Sequence, residues 1–227
     1  AIIDSFACML AGSCEPIATV LCQYISEEGG RPTASIIGKS IKTTTTNAAL
    51  VNGAMGHALD YDDITEVTKT HPTVVLLPAV LAVSEESMSS GIDLLLAYLV
   101  GFEVACSIGV GMSPEYFDEL GWHPTGPLGS VGAGAGAAKI LQMEKQKIAM
   151  TVSLAASQGS GLRQNFGTMT KPFHAGNAAR CGVTAARLVN LGFTAGVDAI
   201  EGPFGFMKAF SGGKNFSTDA VIASLRS

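Results

Sequence analysis

Apolar residues recur three and four positions apart through most of the chain, and strict apolar–polar alternation never runs long enough to mark a strand. This pattern predicts helices over residues 2–10 and 16–25, closed by Ala-Gly-Ser and Glu-Glu-Gly-Gly. A short extended piece is expected over 33–37. The Thr-rich stretch 40–47 then leads into a helix over 48–59, whose small residues allow close packing. Residues 60–71 read as an acidic, Thr-rich loop. Pro78 suits the first turn of the next helix, which leaves 73–77 as loop. A long apolar helix is expected from Ser90 or Gly91 to about Val110, then a connection over 112–121 with helical potential around Tyr116. Gly/Ala-rich residues 126–142 predict a tightly packed helix, and 145–157 another. After a loop over 159–171, the last helices fall at 175–191, with Gly192 as its C-cap, and at 198–209. The outcome is an all-α fold of antiparallel helices with short connections.

Composition adds a constraint. Hydrophobic residues make up 47% of the 227 and charged residues only 15%, against about 25% charged in a typical globular chain. So little charge covers a monomer poorly, and a second domain, a partner subunit or missing residues would account for it. The net charge of −5, without any basic run, argues against a nucleic-acid partner. The stretch from Leu94 to Met112 carries Glu103 and three glycines, and it reads as a buried core helix rather than a membrane span. Cys8, Cys14, Cys22, Cys106 and Cys181 are odd in number and lack Cys-x-x-Cys spacing. Reduced thiols in a cytoplasmic protein, or a mitochondrial-matrix one in a eukaryote, are expected, without a zinc site. No signal peptide is visible, because Asp4 interrupts the first apolar run. The chain opens inside an apparent helix and stops soon after a turn, as a fragment would.

The chemistry-bearing residues sit beside prolines. His71-Pro72, His123-Pro124 and Lys171-Pro172 each place a proton-transferring side chain where a loop turns into a helix. Backbone N–H groups are free there and the helix dipole favours anions. Two imidazoles and an ammonium at such positions suit a carboxylate-bearing substrate. Asp60-Tyr61-Asp62-Asp63 adds three carboxylates at a helix end, without the ligand pattern of a calcium loop. One carboxylate orienting a neighbouring imidazole is the economical reading. The run Gly132 to Ala138 resembles a dinucleotide fingerprint only superficially, since no strand precedes it.

The segment Asn52-Gly53-Ala54-Met55-Gly56-His57-Ala58-Leu59-Asp60-Tyr61-Asp62-Asp63, followed by His71-Pro72-Thr73, resembles the first signature of the MmgE/PrpD family. Gly121-Trp122-His123-Pro124-Thr125-Gly126 resembles the second, and Thr170-Lys171-Pro172-Phe173-His174-Ala175-Gly176-Asn177-Ala178-Ala179-Arg180 the third. Glu201-Gly202-Pro203-Phe204-Gly205-Phe206, with Phe210-Ser211-Gly212-Gly213, is similar to the end of the family's helical domain. The resemblance implies a multi-helix large domain over residues 1–213, with 214–227 starting the connection to a second domain. The resemblance also implies a small α/β domain supplying a further histidine and tyrosine, which the 227 residues do not include, as expected of an incomplete chain or a truncated relative. By motif position the resemblance implies Asp60, His71, His123 and Lys171 as catalytic residues. The expected substrate contacts are Thr65, Thr170, His174 and Gln164. Ile64 stands where the family commonly has threonine. A homodimer is implied, as is catalysis without metal or organic cofactor.

The family's activities share the making or quenching of a carbanion beside a carboxylate. The first expectation is therefore a lyase resembling 2-methylcitrate dehydratase. Decarboxylation of a cis-aconitate-type acid and epimerisation of an iminodisuccinate-type acid are the alternatives. In the expected mechanism His123 or His71 moves the proton, Asp60 orients an imidazole, and Lys171 holds a carboxylate. A non-catalytic dimerising module and a dicarboxylate sensor are the competing accounts from other classes.

Overall fold

Small residues hold this fold together. The computed structural model describes residues 1–112, 117 and 119–225, and among these it contains ten α-helices and one two-stranded sheet. Helices α1 (Ile2–Gly12) and α2 (Pro16–Glu28) lead into an antiparallel hairpin of β1 (Ala34–Ser35) and β2 (Lys42–Thr43). The central helices are α3 (Thr45–Gly56), α4 (Thr73–Ser87), α5 (Gly91–Val110), α6 (Thr125–Ile140) and α8 (Thr170–Asn190). Helix α7 (Lys145–Ala156) lies between the last two in sequence, and α9 (Phe206–Phe210) and α10 (Thr218–Ser224) close the described chain.

Every residue of α6 except Lys139 is buried, as its Gly/Ala sequence predicts. Helices α3 and α8 run antiparallel and touch through backbone. A Cβ at Gly176 would stand 2.1 Å from the Leu50 carbonyl oxygen, so only glycine permits this approach. At the other end of the pair, Arg187 donates to Thr45 Oγ1 at 2.8 Å and also binds Glu86. The starts of α4 and α6 lie side by side, because the His71 N–H donates to Thr125 Oγ1 at 3.1 Å. The end of α3 therefore meets the starts of α4, α6 and α8 at one end of the bundle.

Several boundaries differ from expectation, each for a local reason. Helix α3 begins at Thr45 and stops at Gly56, with Thr44 Oγ1 accepting the Asn47 N–H at 3.3 Å as its N-cap. Helix α4 begins at Thr73 rather than near Pro78, so residues 73–77 are helix. Asp63 fixes that start by accepting both the Thr73 N–H (3.2 Å) and its hydroxyl (2.5 Å), and Tyr98 donates to the same hydroxyl at 2.8 Å. Pro78 is tolerated inside the helix, where the Val74 carbonyl it leaves without an i+4 donor faces the close approach of Gly53. The expected helix over 198–209 shrinks to α9. Gly202, Pro203 and Gly205 break the preceding stretch into turns, with Gly202 N–H donating to Asp198 at 2.8 Å. Gly192, with φ 102°, follows α8 in the left-handed conformation expected of a helix-ending glycine. The helical potential expected around Tyr116 lies outside the described residues.

Helix α5 is not the buried core helix its hydropathy suggests. Ala97, Tyr98, Gly101, Ala105 and Ile108 are its inner face, and Gly101 meets Gly132 of α6. Ile92, Leu95, Leu96 and Leu99 are exposed, at 71, 44, 46 and 54%. By length and composition alone α5 could cross a membrane, and only 33% of its most apolar window is buried within the fold.

Candidate active site

The end of α3 begins the site. His57 caps that helix, and Asp60 takes a left-handed conformation, φ 58°, which folds the following chain back on the helix end. Asp62 is thereby buried against His57, whose Nδ1 lies 2.9 and 3.0 Å from its two oxygens. His71, just before α4, places its own Nδ1 3.0 Å from Asp62 Oδ2 and its Nε2 3.8 Å from Asp60 Oδ1. Lys171, in the first turn of α8, brings its ammonium to 2.6 Å from Asp60 Oδ1. His123, before α6, contacts His174 of α8 through their Nδ1 atoms at 3.1 Å. Its ring lies nearly parallel to that of His57, with centroids 5.7 Å apart.

A cavity of about 430 Å³ opens on this cluster, lined by His57, Asp60, Thr168 and Lys171, with Glu15 and Pro16 at the start of α2. Phe166 separates the layers. Its ring meets His123 edge-on at 4.9 Å and lies beneath the Lys171 ammonium at 5.1 Å. The segment behind His123 also needs a glycine. Gly161 accepts the His123 N–H at 3.0 Å, and a Cβ on it would stand 3.2 Å from the His174 ring.

Of the residues singled out from sequence, Asp60, His71, His123, Lys171 and His174 come together. Thr170 is the first residue of α8, and its N–H donates to Thr168 Oγ1 at 3.2 Å. Two expected substrate contacts lie elsewhere. Thr65 spends its hydroxyl on Thr68 and Thr70 inside the 60–71 loop. Gln164, on a single 3₁₀ turn (Arg163–Asn165), lines a second cavity with Leu120 and Gly121, beyond Phe166. The carboxylate bonded to an imidazole is Asp62, whereas Asp60 pairs with the ammonium. His57 and Phe166 join the site without having been expected there from sequence. His57 lies inside the first signature, and Phe166 is the one aromatic residue in the 159–171 segment.

Burial and charge pull the titrating groups apart. Burial alone would raise the Asp62 carboxyl. The hydrogen bond from His57, the adjoining His71 and the charge of both outweigh burial and hold it well below the usual carboxylate range. An ionised carboxylate only accepts, so His57 carries its proton on Nδ1. Burial pushes His123 down to about 2, helped by the nearby His57, His174, Lys171 and His71. His174 is lowered by burial and then by His57.

A pH dependence of stability follows. The unfolded chain protonates these imidazoles near 6.5, where the folded chain does not. Stability is therefore expected to fall as pH drops below about 6.5, by about 1.4 kcal/mol per pH unit for His123 alone. Asp62 adds its loss only below the ordinary carboxylate value of 3.8. Denaturant midpoints between pH 7 and pH 5 (about two units) measure the first window, and His123→Phe should flatten it.

His57, Asp60, Asp62 and His71 bring one donor atom each within 4.8 Å of one another, close enough to share a cation. Two of those donors are already engaged. The Lys171 ammonium sits on Asp60, and Asp62 accepts from His57. The arrangement can bind a carboxylate at Lys171, hold imidazoles in fixed tautomers, and pass a proton to or from carbon.

Known proteins resemble this chain over most of its length. A family description, the MmgE/PrpD N-terminal domain, matches residues 1–219. Cis-aconitate decarboxylase of Homo sapiens is 32% identical over 211 residues, covering 90% of this chain and 44% of that protein. Cis-aconitate decarboxylase of Aspergillus terreus is 29% identical over 100% of this chain and 48% of its own length. The chain thus spans less than half the length of these relatives. With the family's domain matched over nearly all of its residues, and its signature residues gathered at one end of a helical bundle, this chain belongs to the MmgE/PrpD family.

Proposed function

We propose that the full-length protein is a lyase acting on a small polycarboxylate, and that it decarboxylates an acid of the cis-aconitate type. The observation that carries this reading is the meeting of Lys171 and Asp60 at one cavity beside the starts of α2 and α8, with the His71 Nε2 3.8 Å behind the same Asp60 oxygen. Lys171, at the positive end of the α8 dipole, draws substrate carboxylates in. When a carboxylate leaves as CO₂, its bonding electron pair stays on carbon, and the neighbouring carboxylate takes up that charge as an enediolate. An acid must then deliver a proton to carbon.

His71 suits that step better than His123. Its side chain is 13% exposed and its Nε2 faces Asp60 at the cavity wall, while Asp62 stands at its Nδ1. His123 is 2% exposed and spends Nδ1 on His174. The relatives' names favour decarboxylation over the dehydration of 2-methylcitrate expected first from the sequence.

The full-length protein should be assayed with cis-aconitate, 2-methylcitrate and an aminodicarboxylate, following CO₂ release and alkene absorbance. CO₂ release from the first alone is the expected result. Alkene formation from 2-methylcitrate without CO₂ would replace decarboxylation by dehydration. No turnover of any of the three would reject the lyase reading.

A further inference from the structure

His57 borders the cavity, but its ring presents no reacting atom there. Its side chain is 0% exposed, its Nδ1 is engaged by Asp62, and its Nε2 is buried without any partner. The ring lies close to both imidazoles of the proposed chemistry. His71 is 4.5 Å away, centroid to centroid, and His123 is 5.7 Å away on a nearly parallel plane.

We infer that His57 is a positioning residue, which locks Asp62 through Nδ1 and so sets the orientation of His71 from behind. This inference rests on the lyase reading of the same site. Asp62 is the shared element: His57 Nδ1 is hydrogen-bonded to it, and His71 Nδ1 stands 3.0 Å from its Oδ2 without the alignment of a hydrogen bond. A carboxylate at the end of a turn can rotate, and a donor fixed to the α3 C-cap removes that freedom. His71 then keeps its Nδ1 toward Asp62 and its Nε2 toward Asp60 and Lys171. The other groups facing this cluster are His123, His174 and, from α1, the Cys8 thiol, which is raised by burial and by Asp4, Asp62 and Asp63.

The test uses the full-length protein with His57→Ala, His57→Asn and Asp62→Asn. Asparagine places an N–H donor near the position of Nδ1, so it should restore most of what alanine loses. The expected result for His57→Ala is a kcat lower by about 10²-fold, the scale of an ångström-sized misplacement, with KM little changed. Proton NMR supplies a readout that does not depend on turnover. The Nδ1–H of His57, bonded to a buried carboxylate, should appear as a far-downfield, slowly exchanging signal in the parent protein. It should vanish in both His57→Ala and Asp62→Asn. An unchanged kcat in His57→Ala, equal losses in the Ala and Asn variants, or no such signal in the parent would each overturn the inference. A parent protein that shows the signal yet turns over no polycarboxylate would instead overturn the lyase reading and, with it, any catalytic purpose for His57.

Discussion

Replacing His71 by alanine in the full-length protein is expected to lower kcat by about 10²–10⁴-fold, the usual contribution of one placed acid–base group. The ring stands between the buried Asp62 and the cavity-lining Asp60. Glutamine at 71 should be as inactive as alanine, because an amide hydrogen-bonds but does not carry a proton at these pH values. Steady-state kinetics on the acid that the parent turns over would measure the effect. An undiminished kcat would remove His71 from the mechanism. A full loss in His123→Ala, with His71→Ala unaffected, would transfer the role to His123.

The second large effect is structural. Gly176→Val is expected to destabilise the chain by about 3 kcal/mol, the upper part of the range for overpacking a filled core. The added Cβ would lie 2.1 Å from the Leu50 carbonyl oxygen and 2.9 Å from the Ala54 nitrogen. Both are backbone atoms, so no rotamer change relieves the clash, and α3 and α8 must move apart. Gly91→Ala is the control. It sits at the first position of α5 with nothing within 4 Å, so it should be neutral or slightly stabilising. Denaturant midpoints of the two variants would show the contrast, and equal midpoints would refute it. Any Gly176→Val protein that still folds should also lose activity, since His57 and Lys171 ride on the separated helices.

Much of the site could be read from residue order because its members sit beside markers with a physical meaning. Proline sets the residue before it in extended backbone and starts a helix, so His71 and His123 could be placed at helix starts and Lys171 near one. Which carboxylate orients an imidazole could not be read that way. Asp60 and Asp62 are two residues apart, and the left-handed turn at Asp60 decides which of them is buried. Thr65 and Gln164 have suitable chemistry, yet their loops fold onto other partners. Helix α5 shows the limit of hydropathy, which reports that a helix is apolar but not how much of it neighbours cover. The start of α4 depends on a contact with Asp63, ten residues earlier, which no local propensity encodes.

The Gly–Gly and Gly–Ala seams of α3, α6 and α8 have one more consequence. Backbone pressed on backbone has no rotamers to sample, so the spacing of the helix ends is inherited by any descendant that keeps those small residues. Thr168 and Met169, which line the cavity beside Lys171, carry no acid–base group of the site and can change without moving one. Selection can therefore retune which acid is accepted by rewriting such positions, while the separation of ammonium and imidazole stays as the glycines set it.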